Sequence, residues 1–250
     1  MYWGVDVGST YTKIAALDAN GVLAETAVIP TLIDQDEVVK NHLKGKIVKM
    51  LVATGYGRHL IAEATGCPVI SEIRAHALGA FHAFEDASAV IDLGGQDSKV
   101  IRMGQGGHFT DFRMNDKCAA GTGKFLEMAA QRLGRSLEEF GGFCYDAPRH
   151  VSINAMCAVF AESELIGLIA KRESAAAIGF GVHASIASRL AGMARRFAVE
   201  DRVVFTGGGA LNPLLKRLLE EELRMDISVP DHPQLMGAIG AAYAGLEVAL

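Results

Sequence analysis

The hydrophobic positions of this chain form two patterns. Mostly apolar runs that end at a glycine turn, such as residues 47–53 and 202–205, predict buried strands. Apolar residues three and four positions apart predict helices, which we expect at residues 59–65, 73–84, about 122–133, about 181–197 and from residue 234 onward. Because the two patterns alternate along the chain, the sequence predicts an α/β fold.

One part of the strand pattern occurs twice. Residues 6–14 read DVGSTYTKI and residues 92–100 read DLGGQDSKV. In both copies an Asp follows an apolar strand and precedes a glycine turn, a hydroxyl residue, a lysine and a second strand. Turn signals at residues 20–21 and 104–107 end these second strands. We therefore predict two β-hairpins within a duplicated fold of two lobes, residues 1–86 and 87–250.

The glycine turns of both copies are suited to binding phosphate. Exposed backbone N–H groups in such turns bind anions, and a neighbouring carboxylate can hold magnesium. A third glycine turn, residues 207–209, would let the backbone approach adenosine. The chain lacks the Gly-x-x-x-x-Gly-Lys-Ser/Thr loop of P-loop ATPases. The alternative is a duplicated domain whose tight turns are only structural.

Candidate site residues follow from these turns. We predict Asp6 and Asp97 as magnesium ligands, with Asp92 as an equal alternative. The candidate catalytic residues are Asp6, Gln96 and Asp97, and Lys13 would meet phosphate as a compact positive charge. The expected nucleotide-binding residues are Gly8, Ser9, Thr10, Lys13, Gly94, Gly95, Gly121, Gly123, Gly207, Gly208, Gly209 and Gln234.

Two of the four cysteines share a local context. Cys118 and Cys157 each precede a helical pattern, and the N–H groups at a helix start stabilise a thiolate. Cys67 and Cys144 lie in unrelated contexts, and we expect packed, inert thiols there. Disulfides are not expected, because we predict a cytoplasmic protein.

The shared context predicts a metal centre. A cubane iron–sulfur cluster usually needs four thiolates. The other two would come either from Cys67 and Cys144 or, more simply, from a second chain, because a two-fold axis turns two ligands into four. Both cysteines must then lie near the surface. A zinc site is an alternative, although the paired Cys-x-x-Cys spacing of such sites is absent. The remaining alternative is two buried thiols near helix starts.

Composition narrows the class of protein further. The 250 residues have a net charge of -5, and no basic run exceeds two residues, so we expect no nucleic-acid binding. The strand pattern begins at residue 2 and leaves no room for a signal peptide. The most apolar stretches contain glutamates and are too short for a membrane span.

Four histidines are expected at the surface or at an interface: His42, His59, His76 and His82.

The motifs together resemble a known family. The three glycine turns resemble those of the RNase H-like superfamily of actin, sugar kinases and Hsp70-type ATPases. With residues 54–58 (TGYGR), 115–123 (NDKCAAGTG) and 157–164 (CAVFAESE), the chain resembles the ATP-dependent activators of 2-hydroxyacyl-CoA dehydratases over nearly its whole length. These belong to the BadF/BadG/BcrA/BcrD-type ATPases, which include benzoyl-CoA reductase ATPase subunits. One departure is residues 209–211 (GAL) in the third turn, where relatives often carry a bulkier residue after two glycines, and it leaves the base contacts open.

The resemblance implies a homodimer with one [4Fe-4S] cluster between its subunits, held by Cys118 and Cys157 of each chain. It also implies that ATP, with Mg²⁺, changes the angle between the helices that cap the cluster. A low-potential electron then passes to an iron–sulfur enzyme, either a dehydratase of this type or a related double-cubane cluster protein. The electron would come from a donor such as ferredoxin or flavodoxin.

Two other functions fit the same fold. A small-molecule kinase would use Asp97 or Asp92 as the base, but the first half leaves little room for a substrate-recognition insertion. A nucleotide-gated binding module would act through contacts alone and would turn over ATP as a colourless protein. The kinase function would leave the two cysteine motifs without a role.

Overall fold

The computed structural model of this chain describes residues 1–154, 157–197, 199 and 201–249. The chain divides into two compact units. Unit 1 comprises Met1–Val90, Ile101–Asp111 and Pro230–Leu250, and unit 2 comprises Ile91–Val100 and Phe112–Val229. The predicted lobes differ from these units in residues 87–90, 101–111 and 230–250, and the lobe boundary stays a prediction.

Unit 1 is built on a four-stranded sheet with the order β3-β2-β1-β4. Its strands are β1 (Tyr2–Val7), β2 (Tyr11–Leu17), β3 (Leu23–Pro30) and β4 (Met50–Gly55). β1 and β2 are antiparallel, so the first predicted hairpin is confirmed. β4 lies parallel to β1 and begins where Met50 pairs with Tyr2. The predicted start of this strand at residue 47 is wrong, because the Ile47 carbonyl accepts the Trp3 indole N–H and the Ile47 side chain is exposed.

Helices cover this sheet. They are α1 (Gln35–Leu43), α2 (Arg58–Thr65), α3 (Glu72–Ala83) and the last helix of the chain, Met236–Ala249. The last helix packs against α3 and against β1, β2 and β4. These contacts explain why the end of the chain belongs to unit 1.

The second sheet has five strands in the order β7-β6-β5-β8-β9. They are β5 (Ala87–Leu93), β6 (Ser98–Met103), β7 (Phe109–Asn115), β8 (Arg202–Thr206) and β9 (Ile227–Ser228). β5 and β6 are consecutive in the chain and neighbours in the sheet, as predicted for the second hairpin. β7 was not among the predicted strands, since its side chains are mostly exposed and carry no buried-strand pattern.

The helices of unit 2 are α4 (Gly123–Arg132), α5 (Leu137–Cys144), α6 (Ala158–Ala170), α7 (Ala175–Ala194) and α8 (Pro213–Leu223), so the last helix of the chain is α9. α4 agrees with its prediction. α7 begins six residues before the predicted start, because the Ser174 hydroxyl caps it by accepting the Ala177 N–H at 3.2 Å. α7 packs against α4, α5, α6 and α8 and is the central helix of this unit.

Each unit buries its own apolar core. In unit 1, residues such as Trp3, Val5 and Ile14 pack under the first sheet. In unit 2, Phe125, Phe140 and Phe205 belong to a larger cluster. Among the described residues, no helix has both the length and the apolar character that crossing a membrane requires.

Candidate functional site

The first glycine turn joins β1 to β2. The Gly8 N–H donates to the Tyr11 carbonyl at 3.1 Å and closes the turn. Asp6, at the end of β1, is 2% exposed, and its Oδ2 accepts from Lys13 Nζ at 3.2 Å. The Lys13 side chain is 22% exposed, so it is only partly buried. Ser9 is half-buried and Thr10 is exposed at the tip of the turn.

The second turn repeats this geometry with one difference. The Gly94 N–H donates to the Asp97 carbonyl at 3.0 Å, and Lys99 Nζ lies 3.2 Å from Asp92 Oδ2. Asp92 is thus the positional equivalent of Asp6. Lys99, however, is 1% exposed and also donates to Asp97 Oδ1 at 3.0 Å. The second lysine is therefore a buried partner of two carboxylates.

Thr206 was missing from the predicted site. It ends β8, and its hydroxyl donates to Asp92 Oδ1 at 2.9 Å. Both oxygens of Asp92 therefore accept hydrogen bonds from protein groups. The sequence did carry a signal for Thr206, because it is a polar residue that ends a buried strand just before a glycine turn.

Of these carboxylates, Asp6 fits magnesium best. Its Oδ1 is buried and has no hydrogen-bond partner in the described part of the chain. Burying an unsatisfied carboxylate oxygen is costly, and a hard cation or its water shell would satisfy it.

Two glutamines were also predicted as site residues. Gln96 is exposed at the second turn, and Gln234 is half-buried in the 3-10 helix Pro233–Leu235.

His76 is also close to Asp6. The prediction of a surface or interface position is wrong for this histidine, which is 4% exposed on α3. A Cβ atom built on Gly237 would lie 2.9 Å from Asp6 Oδ2 and 3.1 Å from His76 Nε2. His76 therefore belongs to the buried polar surroundings of the first turn. The helix pattern of α3 gave no signal for this, because the contact depends on where α9 packs.

The third turn follows β8. Gly207 has φ 83°, and a side chain there would also meet the Leu93 carbonyl, so only glycine fits. Gly209 is buried, whereas Gly208 is exposed. The turn continues as the 3-10 helix Gly208–Leu211 and then enters α8, where Pro213 takes the predicted place at the helix start.

The start of α4 is hydrogen-bonded to the second turn. The Gly123 N–H donates to the Gly94 carbonyl at 2.9 Å, and the Lys124 N–H donates to the Gly95 carbonyl at 2.8 Å. Gly121, two residues earlier, is buried in the 3-10 helix Ala119–Gly121. The structure therefore joins Gly123 to the Gly94–Gly95 turn directly through its backbone.

Cys118 directly precedes this segment. It is the N-terminal cap residue of the 3-10 helix, has extended backbone angles and is half-buried. Asn115 holds it on both sides: Nδ2 donates to the Cys118 carbonyl at 2.8 Å, and Oδ1 accepts the Cys118 N–H at 3.2 Å. Asn115 was not assigned a role from the sequence, although asparagine commonly bonds nearby backbone in turns.

Cys157 has a closely similar context. It is the N-terminal cap residue of α6, with extended backbone angles and an exposed side chain. Ala155 and Met156, which belong to the predicted motif, lie outside the described residues. Glu164 of α6 accepts the Asn154 N–H with both carboxylate oxygens at 3.1 Å, which ties the preceding segment to the helix. α6 also contacts the 3-10 helix that follows Cys118.

The other two cysteines differ from this pair. Cys144 is buried in the core of unit 2, and burial raises the pKa of its thiol to about 12. Cys67 is half-buried and packs against the core of unit 1. These positions agree with the predicted packed thiols.

The sequence matches the BadF/BadG/BcrA/BcrD ATPase family over residues 3–245. The chain is a member of that family. The (R)-2-hydroxyglutaryl-CoA dehydratase activating ATPase of Acidaminococcus fermentans is 38% identical to it over 247 residues, which cover 96% of this chain and 94% of that protein.

Solved structures show the same relationship for this BadF/BadG/BcrA/BcrD ATPase. The activator of the 2-hydroxyisocaproyl-CoA dehydratase from Clostridium difficile, with bound ADPNP, is similar with a TM-score of 0.91 and 35% identity, covering 100% of this chain and 96% of that one. A ROK family glucokinase from Streptomyces griseus is similar in fold, with a TM-score of 0.64, 14% identity and coverage of 98% and 99%. The predicted superfamily fold is confirmed.

The different burial of the cysteines predicts their reactivity. The native protein without bound metal should be alkylated by iodoacetamide at Cys157 and Cys118 well before Cys144. The thiolate is the nucleophile, and a raised pKa together with burial suppresses it at Cys144. Peptide mass spectrometry of timed samples gives the order. Unfolded protein, where all four cysteines should react similarly, is the control, and early labelling of Cys144 would contradict the structure.

Proposed function

We propose that this chain is an ATP-dependent activator that passes a low-potential electron to an iron–sulfur partner enzyme. The partner would be a 2-hydroxyacyl-CoA dehydratase or a related double-cubane cluster protein. One observation carries the proposal: the backbone hydrogen bonds from Gly123 and Lys124 to the second glycine turn. They connect a turn suited to phosphate with a turn that presents a cysteine, and activation by ATP requires such a connection.

The nucleotide would be held by the turns already described. In unit 1, Gly8, Ser9 and Thr10 would present N–H and hydroxyl donors to phosphate, and the partly buried Lys13 would add a positive charge. In unit 2, Gly94 and Gly95 would do the same, and Gly207–Gly209 would lie against adenosine. The remaining proposed contacts are Gly121, Gly123 and Gln234. Family membership and the ADPNP-bound relative support nucleotide binding.

Magnesium would be held by Asp6, whose buried Oδ1 lacks a protein partner among the described residues. Asp97 stays a proposed second ligand, although one of its oxygens accepts from Lys99. The metal supplies charge neutralisation at the phosphates when bound. Asp6, Gln96 and Asp97 remain the proposed catalytic residues, with the carboxylates or the Gln96 amide orienting the attacking water.

The two cysteines fit an iron–sulfur cluster in their chemistry and exposure. Cys118 and Cys157 present soft thiolate ligands at the starts of two helical segments that contact each other, and neither is sealed in the core. When bound, a [4Fe-4S] cluster supplies one-electron chemistry at low potential. Asn115 would keep the Cys118 backbone in one orientation, since it hydrogen-bonds both the carbonyl and the N–H of Cys118.

A second copy of the chain would supply the other two thiolates. The exposed residues of α6 support a protein contact beside Cys157, since Val159 is 70% and Phe160 is 69% exposed. Ile166, seven residues after Val159 and therefore on the same face of the helix, is also exposed. Large apolar side chains grouped at an exposed surface are typical of protein interaction sites. The proposed assembly is a homodimer that receives electrons from a donor such as ferredoxin or flavodoxin; its cytoplasmic location remains a prediction.

The structure favours this proposal over a small-molecule kinase. A kinase on this fold would need Asp92 or Asp97 as the base that accepts a substrate proton. The buried Lys99 already occupies one oxygen of each carboxylate, and the Thr206 hydroxyl occupies the other oxygen of Asp92.

The cluster ligands can be tested by iron content. Cys118→Ser and Cys157→Ser should each lose the brown absorbance and nearly all bound iron after anaerobic purification, because too few thiolates remain. Cys144→Ala is the matched control and should keep one cluster per two chains, since that thiol is buried in the core. A Cys118 variant with full iron content would remove the assignment.

The dimer surface can be tested separately. Phe160→Asp should shift the protein from dimer to monomer in analytical ultracentrifugation, because a buried unpaired charge is costly at an apolar interface. Ile47→Asp is the control, since Ile47 is similarly exposed on unit 1 and should leave the dimer intact. An unchanged dimer in the Phe160 variant would exclude this face of α6 as the interface.

A further inference from the structure

His183, on α7, is a fully buried histidine to which the proposed mechanism assigns no role. Its Nδ1 lies 2.7 Å from the Gly179 carbonyl, which can only accept, so Nδ1 carries the proton and donates it. Burial lowers the pKa of the ring to about 4, which keeps His183 neutral near neutral pH. Nε2 therefore presents a lone pair.

That lone pair meets the side chain of Asn212. The Asn212 Nδ2 group lies 3.0 Å from His183 Nε2 and is the donor in this pair. The bond fixes which way the carboxamide points, so that Oδ1 faces the start of α8. There it accepts the Leu214 N–H at 3.1 Å and the Leu215 N–H at 3.2 Å, which caps the helix.

The carboxamide is also confined by α5. A Cβ atom built on Gly141 would overlap Oδ1, Cγ and Nδ2 of Asn212, so the side chain lies directly against the α5 backbone. The Phe140 ring packs on the His183 ring with centroids 4.8 Å apart. Asn212 is thus held between α5 and α7 with a single orientation.

Asn212 directly follows the third glycine turn. Its own N–H donates to the Gly209 carbonyl at 3.1 Å, and the Ala210 N–H donates to the Gly207 carbonyl at 3.2 Å. These bonds make the turn and Asn212 one short rigid segment. The position of the Asn212 side chain therefore determines where the Gly207–Gly209 backbone lies within unit 2.

We infer that His183 and Asn212 are positioning residues for the Gly207–Gly209 turn, and that their hydrogen bond sets the affinity for the nucleoside part of ATP. The inference rests on the proposed nucleotide binding at this turn. An ordinary helix cap would need only the Asn212 oxygen. The bond from the amide nitrogen to a neutral buried imidazole is the additional feature.

Two variants remove this bond from opposite sides. Asn212→Ser keeps a capping oxygen and lacks the amide donor, whereas His183→Leu keeps Asn212 and lacks the acceptor. Each should weaken Mg-ADPNP binding by about tenfold in calorimetry, because a misplaced turn binds nucleoside less well. The turnover number at saturating ATP should stay within about twofold of wild type, since the phosphate turns are untouched.

The double variant separates positioning from general damage. If both changes act through one bond, Asn212→Ser with His183→Leu should bind Mg-ADPNP about as weakly as either single variant. Tyr243→Phe is the control, because it removes a side-chain hydrogen bond to the Gly21 carbonyl at 2.8 Å in unit 1 without touching the third turn, α5 or α7. It should lower the melting temperature and leave nucleotide affinity unchanged.

Several results would overturn the inference. They are affinities within about twofold of wild type in both single variants, effects that multiply in the double variant, or a turnover number that falls while affinity holds. If Asn212→Ser does not fold, His183→Leu tests the same bond from α7. Wild-type protein that binds no nucleotide would refute the proposed function, and this inference with it. Normal wild-type binding with unaffected variants would refute the inference alone.

Discussion

The proposed connection between nucleotide and cysteine depends on two backbone hydrogen bonds. They run from the Gly123 and Lys124 N–H groups to the Gly94 and Gly95 carbonyls. The first N–H groups of a helix have no partner within it and must find one outside. In α4 they find it in the second glycine turn. Because Cys118 lies a few residues before α4, a displacement of that turn has a short, covalently continuous path to a cysteine.

The two glycine turns have the same ion-pair geometry, but their lysine and aspartate side chains differ in burial and in hydrogen-bond partners. Both hold an Asp and a Lys seven residues apart in an ion pair at 3.2 Å, as expected of a duplication. In the first turn the lysine side chain is 22% exposed, and Asp6 Oδ1 has no hydrogen-bond partner among the residues that the structure describes. In the second, Lys99 is sealed between two carboxylates. We therefore expect Asp6 of the first turn to be the principal metal ligand, while the second turn both contacts phosphate and transmits its displacement towards α4.

Local patterns predicted much of this arrangement. The two hairpins, the glycine turns and the two cysteines at helix starts all depend on residues close in sequence, where spacing and turn chemistry give direct signals. Residues that depend on long-range packing were not predicted. His76 is buried because α9 returns to α3, and Lys99 is buried by the second sheet. The Asn212–His183 bond joins residues on two helices with no shared motif. The Ser174 cap, however, was a local signal for the start of α7. It was missed because the glycines near the beginning of this helix weaken its helical pattern.

The central claim is that nucleotide binding reaches the cysteine segment through the Gly94–Gly95 turn. The most direct test is amide hydrogen exchange, measured by mass spectrometry on peptides that span residues 118–124, with and without saturating Mg-ADPNP. The account predicts that nucleotide changes the protection of these amides, including those of Gly123 and Lys124. Unchanged exchange in this segment, with nucleotide binding verified by calorimetry on the same sample, would contradict it.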